Sequence, residues 1–331
     1  MDDATLSEPA ARLRSLLDRG ERAAAVSHLE QFADDGAEER KAAVQSLRPI
    51  AREDAAMLEP LCDTLLTFLE DDERAVRLTT AKLIVSVAES SPESVVSLVP
   101  ALADRLADDG EFYFVRARSA EALGYVALER PAAAATREVL ADLRIGLSFD
   151  EPEVKAKLAK ALEHVAVGDP KRLRNHLPRL ADHLDDEQDL IRYHLCTAVV
   201  AVGAEYPSKL ASVRDALTAR LDDDNEYVSG RAAEALGILA GVAPEQEPLP
   251  RTELAALETA ETDFVAERAR FALGNAADPD QWIGTTSGVR ETTGAAVEAI
   301  TNSDSEDGCP HCGCPLPEHG PPFCPDCGAP Y

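Results

Sequence analysis

One pattern recurs along most of the chain and confines it to a single kind of architecture. The stretch NEYVSGRAAEALGILA (225–240) has six other copies, and with the residue after the acidic turn as position zero they start at Glu39, Val76, Val115, Val154, Ile191, Val228 and Val265. Their spacings are 37, 39, 39, 37, 37 and 37 residues. Eight positions on stands an aliphatic side chain that has to face a core: Leu47, Ile84, Leu123, Leu162, Val199, Leu236 and Leu273. Twelve on stands a small residue: Ala51, Ala88, Ala127, Ala166, Gly203, Ala240 and Ala277. A fixed period in this range is the mark of stacked supersecondary units, none of which buries its apolar face alone.

Each unit reads as two helices. The first is Leu-rich, as in 58–69, 98–106, 176–184 and 213–221, with Leu at spacings of three and four; that spacing gives one apolar face. An acidic turn follows, then the Ala-rich second helix, whose small residues (Ala232, Ala233, Ala235) let neighbours approach closely. The expected fold is therefore all-α, an α-solenoid of about seven helical hairpins over residues 21–283. Residues 1–20 supply an N-terminal capping helix, with Ser7 as N-cap, Pro9 in the first turn and Gly20 as the stop. Residues 284–308, rich in Thr, Ser, Gly and acid, read as a flexible acidic linker with one weak helix near Ala295. Trp282, the only tryptophan, is expected to cover the apolar end of the last repeat.

These hairpins resemble the HEAT-repeat family. The marks are Pro in the first helix (Pro60, Pro100, Pro178), Asp at the turn, an apolar-Arg pair, and an Ala-Ala-x-Ala-Leu-Gly run ending in Gly124, Gly237 and Gly274. The resemblance implies a ladder between repeats, built from the turn Asp and an Arg six positions on; Asp34/Arg40, Asp71/Arg77 and Asp186/Arg192 match that spacing. Repeats three, four, six and seven depart from it, and Ser229 and Ala266 lack the basic group.

Asp and Glu number 61 against 33 Lys and Arg, only seven of them Lys. With a net charge of −28 this reads as the composition of a protein solvated at high salt, as in a halophilic cytoplasm, the alternative being an acidic surface for one basic partner. No stretch reaches the roughly 18 apolar residues of a membrane span, and the N-terminus lacks signal-peptide features. A cytoplasmic protein is expected.

Five of the seven cysteines lie in 309–331. Cys309 and Cys312 form one C-P-x-C-G knuckle and Cys324 and Cys327 a second, eleven residues on. Two such turns supply four thiolates to one tetrahedral Zn2+, so the tail reads as a short zinc ribbon with a closed, structural site. Cys314, His311 and His319 are spare donors. No Lys or Arg follows Arg290, so this tail offers no contacts to nucleic-acid phosphates.

Three positions into each second helix stand Ala42, Thr79, Arg118, Lys157, His194, Arg231 and Arg268. Five successive repeats thus carry a basic or potentially basic group in one register, and registered positions line up in a solenoid. Two readings are open. The stripe is a partner-binding face for an acidic protein segment, or its members are paired locally, Arg118 with Glu121 and Arg231 with Glu234. The acidic turns, read in the same way, cap the second-helix N-termini. No His-Glu dipeptide, phosphate loop or nucleophile elbow is present, and Cys62 and Cys196 fall inside helical patterns as small core residues.

The expected function is a non-catalytic protein-protein interaction scaffold with one structural zinc. The alternatives are a nucleic-acid-associated factor using the basic stripe, or a HEAT-like lyase or isomerase. The purified chain is expected to carry one zinc, and a Cys324→Ser, Cys327→Ser variant to lose it; a full equivalent retained on metal analysis would exclude this ligand set.

Overall fold

The computed structural model describes residues 8–242, 249–275 and 282–303. Among them every regular element is helical. The zinc-ribbon residues, the expected N-cap Ser7 and Ala277 lie outside this range. The chain forms two compact units, divided between Gly146 and Leu147.

The N-terminal unit holds α1 (Glu8–Asp18), α2 (Arg22–Glu30), α3 (Ala37–Ser46), α4 (Arg48–Asp54), α5 (Cys62–Leu69), α6 (Arg74–Ser90), α7 (Val99–Ala107), α8 (Tyr113–Glu129), α9 (Pro131–Ala134) and α10 (Arg137–Gly146). Gly20, at φ +70°, ends the first helix as expected. The C-terminal unit holds α11 (Pro152–Gly168), α12 (Leu177–Ala181), α13 (Asp189–Glu205), α14 (Arg214–Ala219), α15 (Glu226–Val242), α16 (Arg251–Leu257), α17 (Asp263–Leu273) and α18 (Thr286–Ser303).

The second helices α6, α8, α11, α13 and α15 are each 17 residues long. Their position-zero residues from Val76 to Val265 are fully buried, as are Leu47, Ile84, Leu162 and Val199 eight positions on. Only Glu39, in the first copy, is exposed. Within the units α6 packs on α8, and α11, α13, α15 and α17 pack in sequence. Small residues set the closeness of the stack: a Cβ on Gly237 would lie 2.8 Å from the Ala272 Cα, so α15 and α17 meet there backbone to backbone.

Proline breaks the first helices where its missing N–H costs least. A 3₁₀ segment leads into an α segment at Ala55–Leu61 before α5, Pro92–Leu98 before α7 and Pro207–Val213 before α14. Pro100 and Pro178 stand in the first turn of α7 and α12, where no intrahelical acceptor is lost.

The turns carry the expected ladder, and it includes two repeats whose sequence departs from the spacing. Arg40 places both arms of its guanidinium on Asp71 (2.6 and 2.8 Å), Arg77 on Glu111 (2.6 and 2.8 Å) and Arg192 on Asp223 (2.9 and 2.7 Å). Lys155 meets Asp186. Each Arg also donates to the carbonyl of its own turn, at Asp35, Asp71 and Asp186 respectively. Repeat three thus uses Glu111 in place of Asp, and repeat four a Lys in place of Arg. Where Ser229 replaces the base, Thr262 donates instead to Glu226 of the preceding repeat (2.8 Å).

The turn acids do not cap the second helices as expected. Asp71, Asp108, Asp186 and Asp223 each accept the N–H two residues on, at 2.8 to 3.1 Å, which folds an Asx turn. The residues preceding α6, α8, α11, α13 and α17 make no side-chain cap bond. At Asp71 and Asp223 the same carboxylate also takes both arms of the preceding repeat's Arg, so it faces its own turn and that Arg rather than the next helix's N–H groups.

The segment expected to be a linker also differs. Residues 286–303 are the 18-residue α18, which packs on α13 and α11. Its buried side chains Val289, Ala296 and Ile300 lie on one helical face, Gly288 is buried beside Val289, and Thr285 caps the helix by accepting from Gly288 N (3.0 Å). Thr is a weak helix former, but burial of an apolar stripe outweighs a few tenths of a kcal/mol per residue of propensity.

Breaking the most buried rung is the sharpest test of the ladder. Arg192→Met takes the two-armed contact from buried Asp223, leaves it only the single Arg220 ion pair at 3.2 Å, and is expected to lower stability by about 3 kcal/mol in urea unfolding. Arg40→Met, at a more exposed rung, is expected to cost less. Equal losses at both positions would mean that burial does not govern the ladder.

Candidate interaction face

Each of the five stripe residues stands three positions into its own second helix, and none of them is exposed. In the N-terminal unit Arg118 is 8% exposed and donates to Glu121 (2.8 Å). In the C-terminal unit Lys157 is half-buried, His194 is 4% exposed, Arg268 3% and Arg231 fully buried. This corrects the expectation of a solvent-facing basic stripe. Second helices packed this closely leave little room for a side chain three residues in, and a buried guanidinium requires a carboxylate.

The carboxylates come from the same helices. Glu234 Oε2 accepts from Arg231 Nη1 (2.8 Å) and from Arg268 Nε (2.9 Å), while Oε1 accepts the backbone N–H of Gly284 (2.9 Å). His194 Nδ1 lies 2.7 Å from Glu163 Oε2. The local pairing read for Arg118 and Arg231 is therefore present, and Glu234 serves Arg268 of the next repeat as well. Glu163, 31 residues from His194, had no reading in the sequence.

Aromatic rings complete the enclosure. The Arg268 guanidinium lies 3.5 Å from the Phe264 ring centroid, and that of Arg231 sits 5.3 Å from Phe264 and 5.7 Å from Tyr193. Such stacking holds a desolvated cation without a further anion. Burial alone would push the Glu234 carboxyl up, but Arg231, Arg268 and the Gly284 N–H outweigh it and hold the pKa below the usual range. Glu163 is held down in the same way, with His194 the main opponent of its burial.

Helix α18 lies over this cluster. One Arg231 nitrogen, Nη2, donates to Thr292 Oγ1 (3.0 Å), Thr293 Oγ1 (3.1 Å) and the Val289 carbonyl (3.5 Å), and reaches the Tyr193 hydroxyl (3.2 Å). Arg268 Nη2 donates to the same Thr292 hydroxyl (3.3 Å). Both hydroxyls spend their protons on their own helix, Thr292 on the Gly288 carbonyl and Thr293 on that of Val289 (2.7 Å each). Their lone pairs are thus left to face the guanidinium groups. Trp282, just before α18, is 59% exposed, so it does not cover the last repeat; its carbonyl takes the Thr285 hydroxyl (2.6 Å) and its backbone packs against Gly288.

The other singled-out residues are quieter. Cys62 and Cys196 are buried core residues whose thiols burial pushes up to about 12. Among the described residues no group of three or more His, Cys, Asp or Glu is placed to hold a metal ion, and no helix is long and apolar enough to cross a membrane.

No protein-family model matches the chain, and no curated protein does. Solved structures do. An engineered protein from the Northeast Structural Genomics Consortium superposes with a TM-score of 0.62 at 20% identity, over 91% of this chain and 79% of its own. A designed armadillo repeat protein gives 0.56 at 20% identity, over 64% of this chain and 98% of its own. A second engineered protein gives 0.56 at 18%, over 65% and 95%. The chain has an armadillo-like helical repeat fold.

Stability should follow the ionisation of the buried carboxyls. Because they ionise more readily folded than unfolded, the unfolded chain takes up protons first on acidification. The contribution is full above the ordinary glutamate value of about 4.3 and is lost as pH falls from there through the depressed folded values. Glu234→Gln is expected to lower stability by about 3 kcal/mol at pH 7 and to flatten this acid limb. Urea midpoints measured from pH 7 to 3 check both; identical acid limbs in the two proteins would remove Glu234 from the account.

Proposed function

We propose that the chain is a cytoplasmic, non-catalytic protein-interaction scaffold, with one structural zinc held by Cys309, Cys312, Cys324 and Cys327. The observation that carries the scaffold reading is α18. A helical segment lies against α11 and α13 and is gripped by side chains of α15 and α17, which is the helix-in-groove mode of peptide recognition. The armadillo-like fold fits this use, because an array of stacked second helices offers an extended surface rather than a single cleft.

The rival readings have less support. A nucleic-acid factor needs solvent-facing cations to displace counterions, and the candidate cations Arg118, Arg231 and Arg268 are enclosed with Glu121 and Glu234. A lyase or isomerase would need an activated group in an accessible cleft. Here the two described thiols are held protonated in the core, and the His194–Glu163 pair is buried. The zinc reading rests on the donor set, four thiolates in two knuckles, which suits a closed tetrahedral site.

The test is affinity purification of the full chain from its own cells at native salt, with and without nuclease, and mass spectrometry of what is retained. A protein partner held at near-stoichiometric occupancy and indifferent to nuclease is expected. Retention that vanishes with nuclease would overturn the scaffold reading in favour of nucleic acid.

A further inference from the structure

Helix α18 does not extend the stack of repeats. It follows α17 in sequence, yet its principal neighbour is α13, with α11 beside it, while Arg231 of α15 and Arg268 of α17 reach it through long side chains. An 18-residue helix is about 27 Å long, enough to cross three helices packed about 9 Å apart. It is seated as a ligand would be, across the repeats.

Its inward chemistry is specific. Two large apolar anchors, Val289 and Ile300, and the small Ala296 share the buried face with Thr292 and Thr293, while Arg290, Glu291 and Glu298 point to solvent. The side chains that receive it carry their own neutralisation: Arg231 and Arg268 already share Glu234, and Glu163 lies within electrostatic reach of Arg231. What this face offers an incoming helix is therefore spare N–H donors, satisfied by uncharged hydroxyl acceptors. An additional carboxylate would have to be desolvated beside Glu234 for little gain.

Resting on the scaffold reading above, we propose that the face under α18 is the partner-binding face and that α18 holds it as an internal stand-in. The partner is a helical protein segment of α18's own chemistry. It carries two adjacent Ser or Thr hydroxyls over Arg231 and Arg268, with small or aliphatic residues three to four positions before and after them and a further aliphatic one about two turns on. It competes with α18 for the same donors. This replaces the acidic segment expected from the sequence with an uncharged, hydroxyl-bearing one.

The experiment uses the full chain and a fluorescent peptide of residues 282–303. Two substitutions release α18 without touching the repeats. In Gly288→Ala the new Cβ would lie 2.1 Å from the Trp282 carbonyl oxygen, in the turn that launches the helix, and Ile300→Asp puts a charge on its buried face. Both released proteins are expected to bind the peptide saturably, at least about tenfold more tightly than the wild type, where α18 competes. A Thr292→Val, Thr293→Val peptide should bind them about tenfold more weakly, since it leaves buried guanidinium donors unpaired. A Thr292→Glu, Thr293→Glu peptide should bind no more tightly than the native one. Equal binding to wild-type and released proteins, or none to either variant with helical circular dichroism intact, overturns the proposal. Loss of the helical signal in both variants also overturns it, because α18 would then be part of the fold. Tighter binding of the Glu peptide would restore an acidic partner. If the wild-type chain captures a protein while α18 stays seated, the scaffold reading stands and this one falls.

Discussion

The described structure depends on the close stacking of 17-residue second helices through small side chains. Ala and Gly at the contacts bring backbones together, as where Gly237 meets Ala272, and the aliphatic residues at positions zero and eight close the core behind them. That closeness has an electrostatic consequence. The arginines rooted three residues into these helices, Arg118, Arg231 and Arg268, are enclosed, and each needs a counter-charge within reach. Glu121 and Glu234 stand one turn further along the same helices as Arg118 and Arg231, and Glu163 lies on α11 against His194 of α13. The packing thus turns an apparent surface stripe into internal ion pairs.

The turns solve a related problem at the other end of the hairpins. With 61 acidic residues the chain carries far more negative charge than its bases neutralise. The turn carboxylates that take two arms of an Arg of the preceding repeat, Asp223 and Glu111, have buried side chains, while Asp109 and Asp224, each with a single Arg contact, remain largely exposed. The two-armed guanidinium geometry links repeats one to two, two to three and five to six, and at Asp71 and Asp223 an Asx turn holds the carboxylate in place for it. Charge left outside is solvated.

Helix α18 connects the two themes. Its hydroxyls accept from cations that already have carboxylates, and its own charges face water. The grip combines a modest apolar stripe with several hydrogen bonds to a buried cluster, a combination suited to exchange with a similar segment rather than to a permanent core.

How much of this was legible in the sequence depends on the distance over which each feature is decided. The hairpin period, the all-helical class, the core positions, the first-helix prolines and the Arg ladder follow from residues close in the chain or one repeat apart, where helical geometry dictates who faces whom. The i, i+3 pairs Arg118/Glu121 and Arg231/Glu234 are legible for the same reason. The N-cap Thr285 and the spacing of Val289, Ala296 and Ile300 were readable signals for α18, masked by a Thr- and Gly-rich composition of low helix propensity. Three features had no local signal: Glu163 as the partner of His194, Glu234 as a carboxylate shared by two repeats, and the seat of α18 over Arg231, 58 to 62 residues away. The sequence by itself determined the repeat and its register, because periodic burial is imposed by the helix. Only the tertiary structure decided that the register is enclosed and covered, because exposure depends on which distant segment packs on top.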